Sequence, residues 1–216
     1  MKAHGDLIGK LHLGVRTSMV ALASLRPALG VRALPGLVWE MRRRAAAGEP
    51  WQALGPAATE RERICRDQAR DAVLLFVALT SRVGEKRALA LTGQVLRESA
   101  VLHLRRLLPR IDCAAYAAME PAAREAMLED LVGRFPNSTV DGVEASVGRF
   151  SYRITRCELV ELMRRIGRPL LAPLFCKGDE DFFGRDMPEV VFERPSTLAE
   201  GGACCEFRFR WRQEGG

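Results

Sequence analysis

Histidine is scarce in this sequence, with three in 216 residues, at positions 4, 12 and 103. No two cysteines stand in a CxxC spacing. Together these leave little for a zinc site of the familiar kinds, and neither a metal nor a cofactor is expected. GxSxG, HExxH, GxGxxG and phosphate-loop signatures are all missing. The enzyme classes that carry them therefore find no support. Long apolar runs are missing too. The longest, Ala72–Leu79, has eight residues, far below the ~20 needed to span a bilayer. The N-terminal stretch is a poor secretory signal: Asp6 interrupts the basic region, and the apolar segment from Met19 to Leu25 is short and broken by Ser24. Charge excess is small, 33 Lys and Arg against 27 Asp and Glu, net +6. That is too weak for a nucleic-acid footprint but suits an acidic small substrate. A cytoplasmic protein with neither nucleic-acid nor membrane partner is the expectation, with homo-oligomerisation left open.

What is present is ordinary globular composition, 48% hydrophobic and 28% charged. A chain of this length buries a sizeable core. The six cysteines, at 65, 113, 157, 176, 204 and 205, read as reduced thiols rather than a disulfide framework.

The first part, residues 1–135, reads as helical. Apolar residues from Leu7 to Leu25 recur at helical intervals up to Pro27. A Gly- and Pro-rich loop follows to Gly36, then a short helix from Leu37 into Arg42-Arg43-Arg44. Gly48, Pro50, Gly55 and Pro56 mark a second loop. Thr59 and Glu62 form a capping box that opens a helix to about Arg82. Gly84 separates it from another helix ending at Pro109. Pro121 sits at a first helical position, and that helix ends near Phe135-Pro136. A loop boundary is predicted over residues 136–147.

Residues 148–212 change period. Phe150, Tyr152 and Ile154 alternate on one strand face. Thr155 and Glu158 suggest a second capping box, with a helix to Ile166. Residues 189–194 read as a strand. Residues 203–212 alternate strictly, with Cys205, Phe207, Phe209 and Trp211 on one face and Glu206, Arg208, Arg210 and Arg212 on the other. The two strands fit an antiparallel hairpin. The fold class is α+β: a helical N-terminal part packed on a small antiparallel sheet, with helices in the C-terminal third.

The chemistry concentrates there. Cys157 stands near a helix start, where unpaired N–H groups favour a thiolate, with Arg156 beside it. It lies off the apolar stripe of that helix, so it faces solvent, a pocket or a second layer. Cys176 follows an apolar stretch and precedes an acidic turn. Asp179 is three residues on, so both fit one cavity. Cys205 lies on the apolar face of the last strand, as a core residue or as a nucleophile presented into a pocket. Alternation sends Glu206 to the other face. Cys157, Cys176 and Cys205 are separated by 18 and 28 residues, a spacing with no diagnostic metal pattern. The arginines of the last strand suit a solvated basic face rather than an RNA-binding one, since the aromatics are needed for the core.

Four segments carry a resemblance: Arg156-Cys157; Leu171 to Cys176 leading to Asp179; Phe192-Glu193-Arg194 with Thr197 to Gly201; and Cys205-Glu206-Phe207-Arg208-Phe209. In this order they resemble the L-2-amino-thiazoline-4-carboxylic acid hydrolase family over roughly residues 150–212. Glu206 stands where the family commonly has Asp. The resemblance implies hydrolytic opening of a 2-amino-thiazoline ring to a carbamoyl-cysteine. Such chemistry needs a nucleophile, a proton donor and a cation for the substrate carboxylate. Cys205, or failing it Cys176, is assigned as nucleophile and Asp179 as proton carrier. Arg194 is assigned to the carboxylate with Arg156 second, and Cys157 and Glu206 to the substrate pocket. The order is also similar to 4-vinyl-reductase-like ligand-binding domains, which makes a non-catalytic binding module the alternative. A cavity shared by the three thiols is what both readings require.

Overall fold

The computed structural model describes residues 19–212. Six helices come first: α1 (19–29), α2 (Leu34–Ala46), α3 (Glu60–Val83), α4 (Glu85–Leu107), α5 (Cys113–Ala118) and α6 (Pro121–Gly133). Then follow β1 (Ser138–Ser146), β2 (Arg149–Cys157), α7 (Glu158–Arg165), α8 (Ala172–Asp186), β3 (Val190–Glu193) and β4 (Cys205–Trp211). The fold is α+β, as the sequence predicts. The strands form one antiparallel sheet in the order β1-β2-β4-β3.

Most helix boundaries follow local chemistry. Thr59 caps α3, its hydroxyl accepting the Glu62 N–H at 3.1 Å. The return bond differs from the expected box: Glu62 accepts the N–H of Ala58, not of Thr59. Pro121 begins α6. The short α5 was not anticipated; Asp112 caps it by accepting the Ala115 N–H at 2.8 Å. Helix α1 runs through Pro27 to residue 29 instead of stopping at the proline. Residues 7–18 of the expected first helix, with His4 and His12, lie outside the described residues.

The predicted loop over 136–147 is instead mostly strand β1. Its turn residues are absorbed by irregular pairing, with register shifts at Thr139/Val140 and Asp141/Glu144. Gly142 has φ +64° there, and a Cβ on it would lie 3.1 Å from the Arg153 guanidinium.

Two apolar clusters divide the interior. One gathers α2, α3, α4, α7 and the start of α8 around Leu37, Val73, Leu79 and Leu162. The other packs α4, α6 and α8 under the sheet around Val101, Leu128, Phe182 and Phe209. Helix α8 is fixed along α4 by a close contact: a Cβ on Gly178 would lie 2.2 Å from the Cβ of Ala100. Arg97 of α4 holds Asp181 with two bonds of 2.7 Å, and Arg105 holds Asp186 at 2.8 Å. Helix α3 is tied to α7 through Glu62, which binds Arg66 and, at 2.9 Å, Arg165. Among the described residues no helix is long and apolar enough to cross a membrane.

Candidate active site

Strand alternation builds the roof of the site. Cys205, Phe207 and Phe209 of β4 point inward, opposite Ile154, Tyr152 and Phe150 of β2. The floor is α8, where Cys176 and Asp179 stand about one turn apart on the same side. Arg194 follows β3 directly. Cys157 is the last residue of β2 and the N-cap of α7. These elements enclose a cavity of about 150 Å³ lined by all three of Cys157, Cys176 and Cys205, with Asp179, Arg194, Tyr152 and otherwise mostly apolar side chains. Among the described residues, Asp179 and Arg194 are the only lining ones that carry a formal charge.

The two charges are paired. Arg194 Nη1 donates to Asp179 Oδ2 at 2.6 Å. Its Nη2 donates to the Cys176 carbonyl at 2.9 Å and to Glu180 at 3.1 Å. The guanidinium lies 5.6 Å and 5.3 Å from the ring centres of Phe192 and Phe207, a cation–π setting. Its side chain is 3% exposed. Burial is the largest single influence and opposes the guanidinium charge, but Asp179, Cys176 and Glu180 together outweigh it and the Arg194 pKa rises. Burial also pushes Asp179 up to about 6, against the downward pull of Arg194.

The thiols differ in their hydrogen bonds. Burial pushes Cys176 up to about 12, and its S–H faces the Ala172 carbonyl at 3.8 Å. Burial raises Cys205 as well, but its sulfur accepts the Leu198 N–H at 3.2 Å, which lowers the cost of a thiolate. Cys157 is raised by burial although the N–H groups of Val160 and Leu159 pull it down. The helix start that was expected to activate Cys157 is therefore present but outweighed. The expected capping box there does not form, because β2 extends through Thr155 and Cys157 itself is the N-cap.

Five sequence-selected residues thus share the cavity: Cys157, Cys176, Asp179, Arg194 and Cys205. Two do not line it. Arg156 is 59% exposed and bonds Glu161 twice at 2.9 Å. Glu206 points to the opposite face of a regular strand and pairs with Arg208. Both are neighbours of cavity cysteines in sequence, and the two-residue period of a strand sends neighbours apart. The acidic turn expected after Cys176 is instead the body of α8. Tyr152 and Asn137 line the cavity and were not singled out. Tyr152 was legible as an inward residue between Phe150 and Ile154. Nothing local marks Asn137. Among the described residues no three His, Cys, Asp or Glu side chains are arranged to hold a metal ion.

The model of the family described as L-2-amino-thiazoline-4-carboxylic acid hydrolase matches residues 63–209. The chain belongs to this family. In this L-2-amino-thiazoline-4-carboxylic acid hydrolase family member the match runs from α3 to β4 and contains every residue lining the cavity. It extends well upstream of the C-terminal segments that carry the resemblance. The family name denotes a hydrolase. No curated protein and no solved structure matches the chain.

Proposed function

We propose that the protein hydrolyses a small sulfur- and nitrogen-containing ring such as 2-amino-thiazoline-4-carboxylate, with Cys205 as nucleophile. The observation that carries this reading is the Cys205 sulfur, already accepting a backbone N–H, in one cavity with the Asp179–Arg194 pair. An apolar cavity near 150 Å³ holds a molecule of about the size of benzene, which suits a single five-membered ring with small substituents.

The chemistry balances with the residues at hand. Asp179, raised by burial to about 6, accepts the Cys205 proton. The sulfur bonds to the amidine-like ring carbon, and the ring carbon–sulfur bond breaks. The departing ring sulfur takes the proton from Asp179. Water then adds to the same carbon, the bond to Cys205 breaks, and the thiol regains a proton. The net change is addition of one water, giving a carbamoyl-cysteine. Cys176 suits the first step less, because its S–H is committed to a carbonyl and burial pushes its pKa up to about 12.

The test is incubation of the reduced protein with L-2-amino-thiazoline-4-carboxylate and detection of carbamoyl-cysteine by mass spectrometry. Product is expected from the wild type, with turnover at least about 10³-fold lower in Cys205→Ala. Undiminished turnover in that variant would end the thiol mechanism. Saturable binding with no product from folded protein would leave a small-molecule-binding module.

A further inference from the structure

Several buried side-chain nitrogens and oxygens lack a hydrogen-bond partner among the described residues. Arg194 Nε is the one that belongs to a cavity-lining residue. A buried donor without a partner is costly. Both terminal nitrogens of Arg194 are already engaged, Nη1 with Asp179 and Nη2 with Cys176 and Glu180. The two-point fork expected for a substrate carboxylate is therefore not free, and Nε alone is left to meet a ligand acceptor.

A second donor lines the same cavity. Tyr152 lies flat on Phe207, with ring centres 4.8 Å apart and an 11° angle between planes. The Arg194 guanidinium lies 5.3 Å from the centre of that same Phe207 ring. The Tyr152 hydroxyl makes no hydrogen bond among the described residues, and Tyr152 lines the cavity.

We infer that the Tyr152 hydroxyl and Arg194 Nε together bind the carboxylate of the ligand, one hydrogen bond each, and so orient the ring against Cys205. The inference rests on the proposed ring substrate. Burial keeps the phenol protonated, and Asp179 beside it acts in the same sense. Tyr152 is thus a donor throughout the assayable pH range. Asp179 is left for the basic, amidine end of the ring.

The experiment is calorimetric binding of two aromatic analogues whose rings the enzyme has no route to open: 2-aminothiazole-4-carboxylate and 2-aminothiazole. Both are titrated into wild type and Tyr152→Phe, the latter keeping the stack on Phe207. Tyr152→Phe is expected to weaken the carboxylate analogue about tenfold or more and to leave 2-aminothiazole within about twofold. Equal losses for both, no loss for either, or no binding of the carboxylate analogue to wild type would overturn the inference. Steady-state kinetics on 2-amino-thiazoline-4-carboxylate separates the two readings. A raised KM with kcat nearly kept supports Tyr152 as a binding group. Intact analogue selectivity with no turnover would remove the hydrolase reading and leave the carboxylate site standing.

Discussion

In the proposed mechanism Asp179 is the side chain on which proton traffic in the cavity turns. Its burial raises the carboxyl to about 6, while Arg194 pulls the other way. A base must be ionised to act, so kcat/KM is expected to rise as pH increases through about 6. Asp179→Asn should remove that limb and most of the activity, as a pH–rate profile would show. The effect on folding runs in the opposite sense, over the window between 3.8 and about 6. A carboxyl raised above its ordinary value of 3.8 contributes stability below that value, lost as pH rises through about 6. At this scale the sequence was informative for residues whose type is itself the signal. The three cysteines, Asp179 and Arg194 were legible as reactive or charged groups in an apolar setting. Arg156 and Glu206 were selected for the same reason, yet strand alternation and exposure keep them out of the cavity. Tyr152 looked like one more core aromatic, because its function depends on a hydroxyl whose surroundings come from α8 and the segment after β3.

The elements hold these groups through a few specific contacts. Glu62, at the start of α3, accepts the Ala58 N–H and binds Arg66 and Arg165, and these bonds, the backbone one first, hold it near 2 against the cost of burial. A carboxylate lowered in this way contributes stability above its ordinary 4.5, lost as pH falls toward 2. Glu62→Ala leaves buried Arg66 without its partner and is expected to cost about 3–5 kcal/mol. Urea unfolding at pH 7 would measure this, and the difference from wild type should shrink when repeated near pH 3. Gly178 lets α8 approach α4 at Ala100. Gly178→Val must push the helices apart and is expected to cost about 1–3 kcal/mol. Because Cys176 and Asp179 flank that position, turnover should fall in the same variant even where it remains folded. The helix starts marked by the Thr59 cap and by Pro121 at the first helical position were legible because each depends on residues within a turn of one another. Strand β1 was hidden by Pro136 just before it and by Asp141 and Gly142 within it, which mimic a loop, since the irregular pairing that takes in Asp141 and Gly142 exists only against β2. The run after Cys176 resembled an acidic turn because its partners, Arg97 and Arg194, come from other elements.

At the scale of the molecule, helices and a four-stranded sheet close over an apolar cavity with the Asp179–Arg194 ion pair in its wall. The family match spans the elements that make that enclosure, from α3 to β4. The sheet hairpin and the helical lead-in were predictable from period alone. That they enclose a common space for three cysteines was not, because it depends on how α8 crosses beneath the sheet. The central claim is covalent attack by Cys205. It is tested most directly by mixing the protein with 2-amino-thiazoline-4-carboxylate, quenching with acid within one turnover, and mapping the peptides by mass spectrometry. The account predicts a mass increase of one substrate molecule, localised by fragmentation to Cys205 rather than Cys204, and absent from Cys205→Ala. Product formation with no adduct in wild type and with full turnover in Cys205→Ala would contradict it.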